Sequence, residues 1–576
     1  MSRSTTIRRR EVRVPDGWPD HVHPVLRRVY AARGVTELSQ VRHRLGGLLP
    51  PTLLGGLDRA VELLAEAIAR DLRICVIGDF DADGATGTAV AVRGLRLLGA
   101  RDVRFRVPHR LTHGYGLSPA LVADLADISP DLLVTVDSGI ACVEGVAAAR
   151  AAGMRVIVTD HHLPGAMLPE ADAIVNPNLR DDGFPSKSLA GVGVMFYLLL
   201  ALRAHLRSQG AFSVAEPDLS SLLDLVAVGT VADMVSLDEN NRILVAAGLK
   251  RMRAGLAQPG LRALLQVAGR PPEKLGSADL GFALGPRINA AGRLEDMALG
   301  IECLLADDQA AALRLATQLD AINRERRDLQ GQMLQQAEAM AAGCIAVIES
   351  GGMGDAALCV FDADWHPGVV GLVASRLKER VHRPAIAFAP GGEDGFLRGS
   401  ARSIPGFHIR DALADVAAMH PGLIARFGGH AMAAGLSLAP ENLEAFRIAF
   451  IALAAERLDA GILRAELLSD GALAAQDLSR DLAEQLRDGG PWGQGFPEPV
   501  FDDEFIVAGW RVVGSGHLKM QLRHAASGTP IDAIHFGGFD GAPPAPRVHL
   551  AYQLETDDFR DRCGVQLLVR HRVDVG

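Results

Sequence analysis

Three apolar runs, each halting at a knot of acids or histidines, constrain this chain more than any other feature. Arg73-Ile74-Cys75-Val76-Ile77 runs into Gly78-Asp79-Phe80-Asp81-Ala82-Asp83-Gly84. Leu132-Leu133-Val134-Thr135-Val136 runs into Asp137-Ser138-Gly139, and Arg155-Val156-Ile157-Val158-Thr159 into Asp160-His161-His162. Each run reads as a β-strand. Between and around them the pattern alternates: helices at 57–69 and 86–98, further strands at 103–107 and 173–175, and a nearly all-apolar, buried helix at 189–205. Strand and helix in turn predict a parallel, doubly wound α/β sheet. The ends of parallel strands share one crevice, where ligands bind. The three clusters therefore converge although about eighty residues separate them in sequence.

Mixed Asp/His donors without cysteine suit Mn²⁺ or Mg²⁺, the histidines favouring Mn²⁺. A single Asp at a strand end is as readily a helix cap. Asp79-x-Asp81-x-Asp83-Gly84 also matches the start of a calcium loop, but the twelfth position, where Glu is required, is Val90. Adjacent histidines on a strand would point to opposite faces; at a strand end the chain can turn and aim both inward. Three such clusters at three strand ends make coincidence a poor account.

With 576 residues the chain needs three or more domains. No apolar run reaches membrane-span length, the start lacks a signal-peptide core, and six scattered cysteines read as reduced thiols, so a cytoplasmic protein is expected. A net charge of −10 does not favour nucleic acid, but a local basic groove can override the global sign. Residues 1–50 are one candidate, with ten arginines against four acids; the first fifteen are expected to be a solvated extension and the rest to pack on the catalytic domain. Residues 301–342 read as one long helix with an apolar stripe through Leu315, Leu319, Ile322, Leu329, Met333 and Met340. A second α/β unit follows, opening with strands at 344–348 and 357–361 and a helix at 369–380. Its segments Gly399–Arg402 and Arg426–His430 are candidate phosphate-holding loops, though Gly-Gly is equally turn chemistry. From about 467 the character changes: nine of 27 aromatics, among them Phe559, lie among short strand-like runs such as 505–508, 511–513, 518–522 and 550–554. That suggests a small β-barrel.

The ordered segments GDFDADG, PHRLTHGYGL (Pro108–Leu117), VDSGI and TDHH resemble the motifs of the DHH phosphoesterase superfamily. VGTVADMVSL, LGPRINAAGRL, WHPGVVGLVASRL, GSARSIPGFHIRD and RFGGHAMAAGLSL are similar to the RecJ family of single-strand exonucleases within it, over roughly residues 45–576. The resemblance implies a basic N-terminal extension (1–50), a DHH catalytic metal-binding domain (51–300), a connecting helix (301–343), a DHH-associated substrate domain (344–466) and an OB-like nucleic-acid-binding barrel (467–576). It implies a two-metal Mn²⁺ or Mg²⁺ centre built from Asp81, Asp83, Asp137, His161, His162 and Asp233, with Asp79 a ligand or a cap. Some members carry a histidine four residues before the position of Asp81, where this chain has Ile77. Asp160 would orient a histidine from behind, and His430 would lie near the scissile group. Arg110, Arg287, Ser400 and Arg402 match phosphate-holding positions, and Arg511, His517, Lys519 and Arg523 are the barrel's candidates for phosphates. The implied activity is 5′ to 3′ hydrolysis of single-stranded DNA in repair and recombination by a monomer, with single-strand-binding protein and a helicase as partners. A DHH-type phosphodiesterase for short oligonucleotides or cyclic dinucleotides, and a non-catalytic single-strand-binding scaffold, are the alternatives; the barrel counts against the first and the intact Asp/His set against the second.

Overall fold

The computed structural model describes residues 5–109, 112–213, 215–350, 354–391, 395–514, 516–557 and 564–575; Arg110, Phe559 and Cys563 lie outside them. In the first lobe, β2 (Ile74–Ile77), β3 (Val103–Arg106), β4 (Leu132–Val136), β5 (Arg155–Thr159) and β6 (Ala173–Val175) form an all-parallel sheet in the order β3-β2-β4-β5-β6. Alternate residues go to opposite faces. Ile74, Val76, Leu132, Val134, Val136 and Ile157 enter the main core under the helices Leu57–Ala69, Ala82–Leu97 and Gly191–Ser208. Cys75, Ile77, Leu133, Val156 and Val158 enter a smaller core with Leu121, Leu125 and Val146. Each Val, Leu or Ile so buried contributes about 1.5–3 kcal/mol, which fixes the register of the three central strands. Because β2, β4 and β5 are neighbours, the three clusters leave the sheet side by side at its carboxyl edge.

The single helix expected over 301–342 is two. Ala298–Leu305 stops, and Asp308, accepting the Ala311 N–H at 2.7 Å, caps a new helix over Gln309–Met340. Its buried face also differs from the predicted stripe: Ala312, Ala316, Leu319, Asp320 and Asn323 are buried, whereas Met340 is exposed. From Arg324 to Gln332 no side chain is fully buried. One end packs on Gly285–Leu294 and Pro259–Val267 of the first lobe, the other on Val370–Val381 of the second. At 1.5 Å per residue this is a strut of about 48 Å between lobes.

The strand expected at 344–348 is a helix, Ala342–Glu349, whose Ile345 and Ile348 pack on Met333 and Ala337 of the strut. A five-residue apolar run is ambiguous by period alone. The second lobe's sheet has the order β10-β11-β9-β8-β7, from β7 (Leu358–Phe361), β8 (Ala385–Pro390), β9 (Leu397–Arg402), β10 (Arg426–Gly429) and β11 (Ala433–Leu438); only β7 and β8 are parallel. The two expected phosphate loops are therefore mainly strand, β9 and β10.

The C-terminal module is a closed barrel, β13-β14-β15-β17-β16, from β13 (Phe501–Val513), β14 (His517–His524), β15 (Pro530–His535), β16 (Arg547–Asp557) and β17 (Gly564–Val575). The runs at 505–508 and 511–513 are one strand, bent by a bulge between Val507 and Gly509. Within the first fifteen residues, expected as a solvated extension, β1 (Thr6–Arg9) is largely exposed but pairs in parallel with β12 (Glu466–Ser469), just before the barrel. Arg9 Nε meets Asp502 Oδ1 at 2.9 Å, and Arg33 and Arg10 meet Asp470 at 2.9 and 3.6 Å. Tyr30 stacks between Trp18 and Trp492. Three of the arginines that made this segment look like a nucleic-acid arm, Arg9, Arg10 and Arg33, are thus paired with carboxylates of the C-terminal module.

Candidate metal centre

The turn after β2 is set by Asp81, whose Oδ1 accepts the Asp83 and Gly84 N–H groups at 2.9 and 3.0 Å as the cap of helix Ala82–Leu97. Asn289, from helix Gly285–Leu294, accepts the Ala82 N–H at 2.8 Å and holds the turn from the opposite side. That helix can come so near only because residue 292 is Gly: a Cβ there would lie 2.0 Å from the Phe80 carbonyl oxygen. Asp83 is buried, and both its oxygens accept N–H groups from the start of helix Gly191–Ser208, Gly191 at 2.7 Å and Val192 at 3.0 Å. Gly191 is also required: a methyl there would meet Asp137 Cβ at 2.5 Å. Asp137 sits at φ 60°, a strained backbone for a non-glycine residue.

His161 faces three carboxylates: its Nε2 lies 3.0 Å from Asp137, 3.6 Å from Asp233 and 4.0 Å from Asp83. Asp233 arrives at the carboxyl end of the buried helix Leu223–Ala232. Asp160 lies behind the histidines. Its Oδ1 accepts from the His161 and His162 N–H groups at 2.7 and 3.0 Å and lies 2.8 Å from His162 Nδ1, while Oδ2 accepts from the Ile140 N–H at 2.9 Å. That leaves His162 Nε2 to face the site. The carbonyls of the His-His pair are tied down too, by Asn178 on His161 and Asn176 on His162. Tyr115 donates to the Asp137 carbonyl at 3.1 Å and meets His162 edge-on. Asn176, Asn178, Asn289 and Tyr115 were not singled out from sequence; only Tyr115, in PHRLTHGYGL, and Asn289, in LGPRINAAGRL, lie in motifs that could have pointed to them.

Burial, then the charges of Asp233 and Asp81, raises Asp83 well above the usual carboxylate range, and burial with Asp83 and Asp81 does the same to Asp137. Burial and Asp81 raise Asp233 to about 7. His161 is pushed down to about 4 by burial and by His162. Burial opposes a charge on His162 as well, but the hydrogen bond to Asp160 prevails and lifts it to about 9. His161 Nε2 and Asp137 Oδ1 are buried without a well-formed hydrogen bond. Three donor sets come within 4.8 Å internally: Asp137, His161 and His162; Asp83, His161 and Asp233; and Asp79, Asp81 and Asp137. Crowded carboxylates, a neutral imidazole and buried unbonded donors fit hard divalent cations. Because Asp137 and His161 are shared between sets, two nearby ions can be held.

A pH signature follows. A carboxylate whose folded pKa is raised loses stability as pH climbs from its unfolded to its folded value, here from 3.8 to about 7 for Asp233. Metal-free protein should therefore be less heat-stable at about pH 8 than at about pH 6, and Mn²⁺ should reverse the difference. Binding should also release protons, including that of His162 below pH 9 or so. Calorimetry in buffers of different ionisation enthalpy reads that release; proton-neutral binding would exclude His162 as a ligand.

The second lobe meets this centre through His430, which follows β10; its ring lies nearly parallel to that of His162 with centroids 6.1 Å apart. Burial and the charge on His162 lower its pKa. Ser400 and Arg402 sit on β9, with Arg402 Nη1 donating to Ser400 Oγ at 2.9 Å. Burial lowers the Arg402 pKa, and no carboxylate among the described residues pairs with it. Arg287 is different: its Nε is 2.9 Å from Asp320 and its Nη1 donates to the Ala283 carbonyl, so it anchors the strut rather than facing the cleft. Arg110 lies outside the described residues. On the barrel, Arg511 and Arg523 are exposed, whereas Lys519 lies 3.5 Å from Asp532 and 3.4 Å from Gln566. The stacked pair Trp510 and Phe539, with Trp510 43% exposed, offers a ring surface that counting aromatics could not distinguish from core.

Three domain families match the chain: the DHH family N-terminal domain over residues 73–230, the DHHA1 domain over 354–456 and the RecJ OB domain over 469–571. The single-stranded-DNA-specific exonuclease RecJ of Dickeya dadantii is 50% identical over 580 residues, covering 99% of each chain. The crystal structure of Thermus thermophilus RecJ in complex with Mn²⁺ superimposes with a TM-score of 0.81 at 31% identity, covering 99% of this chain and 80% of that one. The Mg²⁺ complex of the same protein gives 0.74 at 30% identity, covering 98% and 78%. With the motifs in register along its whole length, this chain belongs to the RecJ family.

Proposed function

We propose that the protein is a single-stranded-DNA-specific exonuclease that uses Mn²⁺ or Mg²⁺ and works from the 5′ end, releasing mononucleotides in DNA repair and recombination. The observation that carries the reading is the cleft itself: a buried Asp/His cluster on one lobe faces His430 on the other, 6.1 Å from the ring of His162. Asp81, Asp83, Asp137, His161, His162 and Asp233, with Asp79 beside them, would hold the ions. When bound, divalent ions supply an activated water and relieve charge on the phosphate and leaving oxygen. The chain's own groups do the rest. Asp160 fixes the His162 ring, Asn176 and Asn178 fix the backbone of the histidine pair, and His430 presents a neutral imidazole from across the cleft. Arg402 and Ser400 offer donors to a phosphate, and the barrel's Trp510, Arg511 and Arg523 suit stacking and backbone contact with a strand.

No helix of the described residues is long and apolar enough to cross a membrane. A cytoplasmic monomer working on strands opened by a helicase and coated by single-strand-binding protein completes the reading.

The decisive assay compares 5′-labelled with 3′-labelled single strands in Mn²⁺, Mg²⁺ or chelator. A 5′ label should appear at once as mononucleotide while a 3′ label stays on shortening strands, and chelator should stop both. Mononucleotides released first from the 3′ label would reverse the polarity; activity unchanged by chelator would remove the metal.

A further inference from the structure

Phe282 is 84% exposed, more than any other large apolar side chain among the described residues. It sits in a π-helical turn, Leu280–Leu284, whose Leu280, Ala283 and Leu284 are buried. The wide turn therefore pushes one ring out of an otherwise packed segment, and such turns concentrate at functional sites.

The turn's position is fixed. A methyl at Gly281 would meet Val231 Cγ1 at 3.3 Å, and one at Gly285 would meet Ala232 Cβ at 3.2 Å. The turn thus lies against the last residues of the helix Leu223–Ala232, immediately before Asp233 of the metal centre. The next residue, Met234, is 71% exposed and held at φ 62°. The turn continues into the helix Gly285–Leu294, which packs on the strut. An exposed ring and thioether beside a nuclease centre match the chemistry of an unpaired nucleotide, which offers a flat face to stack.

We propose that Phe282 stacks a nucleobase of the single strand at the mouth of the cleft. The inference rests on the nuclease reading above and adds a base-binding position to it. An internal base reaches a protein ring at least cost when it is already unpaired, so the site also favours single strands over duplex.

The test uses the full chain with its metal. Phe282→Ala should weaken binding to single-stranded DNA by about five- to a hundredfold, the range for losing one base–aromatic stack, and Phe282→Trp should restore it. Mn²⁺ affinity should not change. In a scan of strands carrying one abasic nucleotide, wild-type protein should show a position where the missing base weakens binding, and Phe282→Ala should be indifferent there. If wild-type protein degrades the strands but Phe282→Ala binds them equally, with the same abasic profile, the base site is refuted and the exposed ring serves another contact. If wild-type protein neither binds nor degrades single strands, it is the nuclease reading that fails.

Discussion

Asp233→Asn should lower cleavage by roughly three orders of magnitude or more, since a lost ligand removes several kcal/mol of charge stabilisation at about 1.4 kcal/mol per tenfold. Above neutral pH the same change should make the metal-free protein more heat-stable than wild type. Burial and Asp81 hold the Asp233 pKa near 7, so its charge opposes the folded state when no cation is bound. Mn²⁺ should then raise the melting temperature of the variant less than that of wild type. Asp83→Ala should behave otherwise. Both oxygens of Asp83 satisfy the first N–H groups of helix Gly191–Ser208, and each buried donor left open costs about 1–3 kcal/mol. A ligand that merely lined an open crevice could be removed without harm to the fold; Asp83 is both a ligand candidate and the seat of a buried helix. Activity measured beside thermal midpoints with chelator and with Mn²⁺ separates the two. A variant Asp233→Asn that cleaves at a near-normal rate in saturating Mn²⁺ would remove Asp233 from the centre.

The centre was legible where chain order and strand ends determine it. The runs at 132–136, 155–159 and 173–175 are strands with the bounds read from sequence, and β2, β4 and β5 lie side by side. What sequence did not show is whatever depends on a partner far along the chain. Asp320 and Asn323 look like the polar face of the strut until Arg287 is seen against Asp320. Asn176 and Asn178 look like turn residues until their amides are found on the histidine carbonyls. Arg9, Arg10 and Arg33 look like a nucleic-acid arm until Asp470 and Asp502 are seen opposite them, more than four hundred residues away. Short apolar runs failed for a local reason: Cys344–Ile348 suits a strand or a helix, and packing of Ile345 and Ile348 on the strut decides for the helix.

Arg402→Ala should lower activity on 5′-phosphorylated strands by about one to two orders of magnitude, with a much smaller loss on strands ending in a 5′-hydroxyl. Nuclease action from a 5′ end needs a pocket for that terminus, and three groups converge on such a pocket. Arg402 has no carboxylate partner among the described residues, and burial alone lowers its pKa; a partly buried cation without a counter-charge is costly unless an anion arrives. Ser400 Oγ lies 2.9 Å from the guanidinium. The amino end of helix Val370–Val381 closes on both: a methyl at Gly371 would sit 2.9 Å from Arg402 Nη2 and 2.9 Å from Ser400 Oγ, so glycine keeps the helix terminus, with its partial positive charge, open to the same point. Arg287, another of the phosphate-holding positions that the family resemblance implied, is instead paired with Asp320 on the strut. A terminal phosphate carries more charge than an internal one and gains most from this arrangement, each charge-assisted hydrogen bond contributing about 1.5–3 kcal/mol. Rates for Arg402→Ala on matched 5′-phosphate and 5′-hydroxyl strands decide it. Equal losses would place Arg402 on an internal phosphate, and the 5′ polarity would then have to come from the path of the strand rather than from its end.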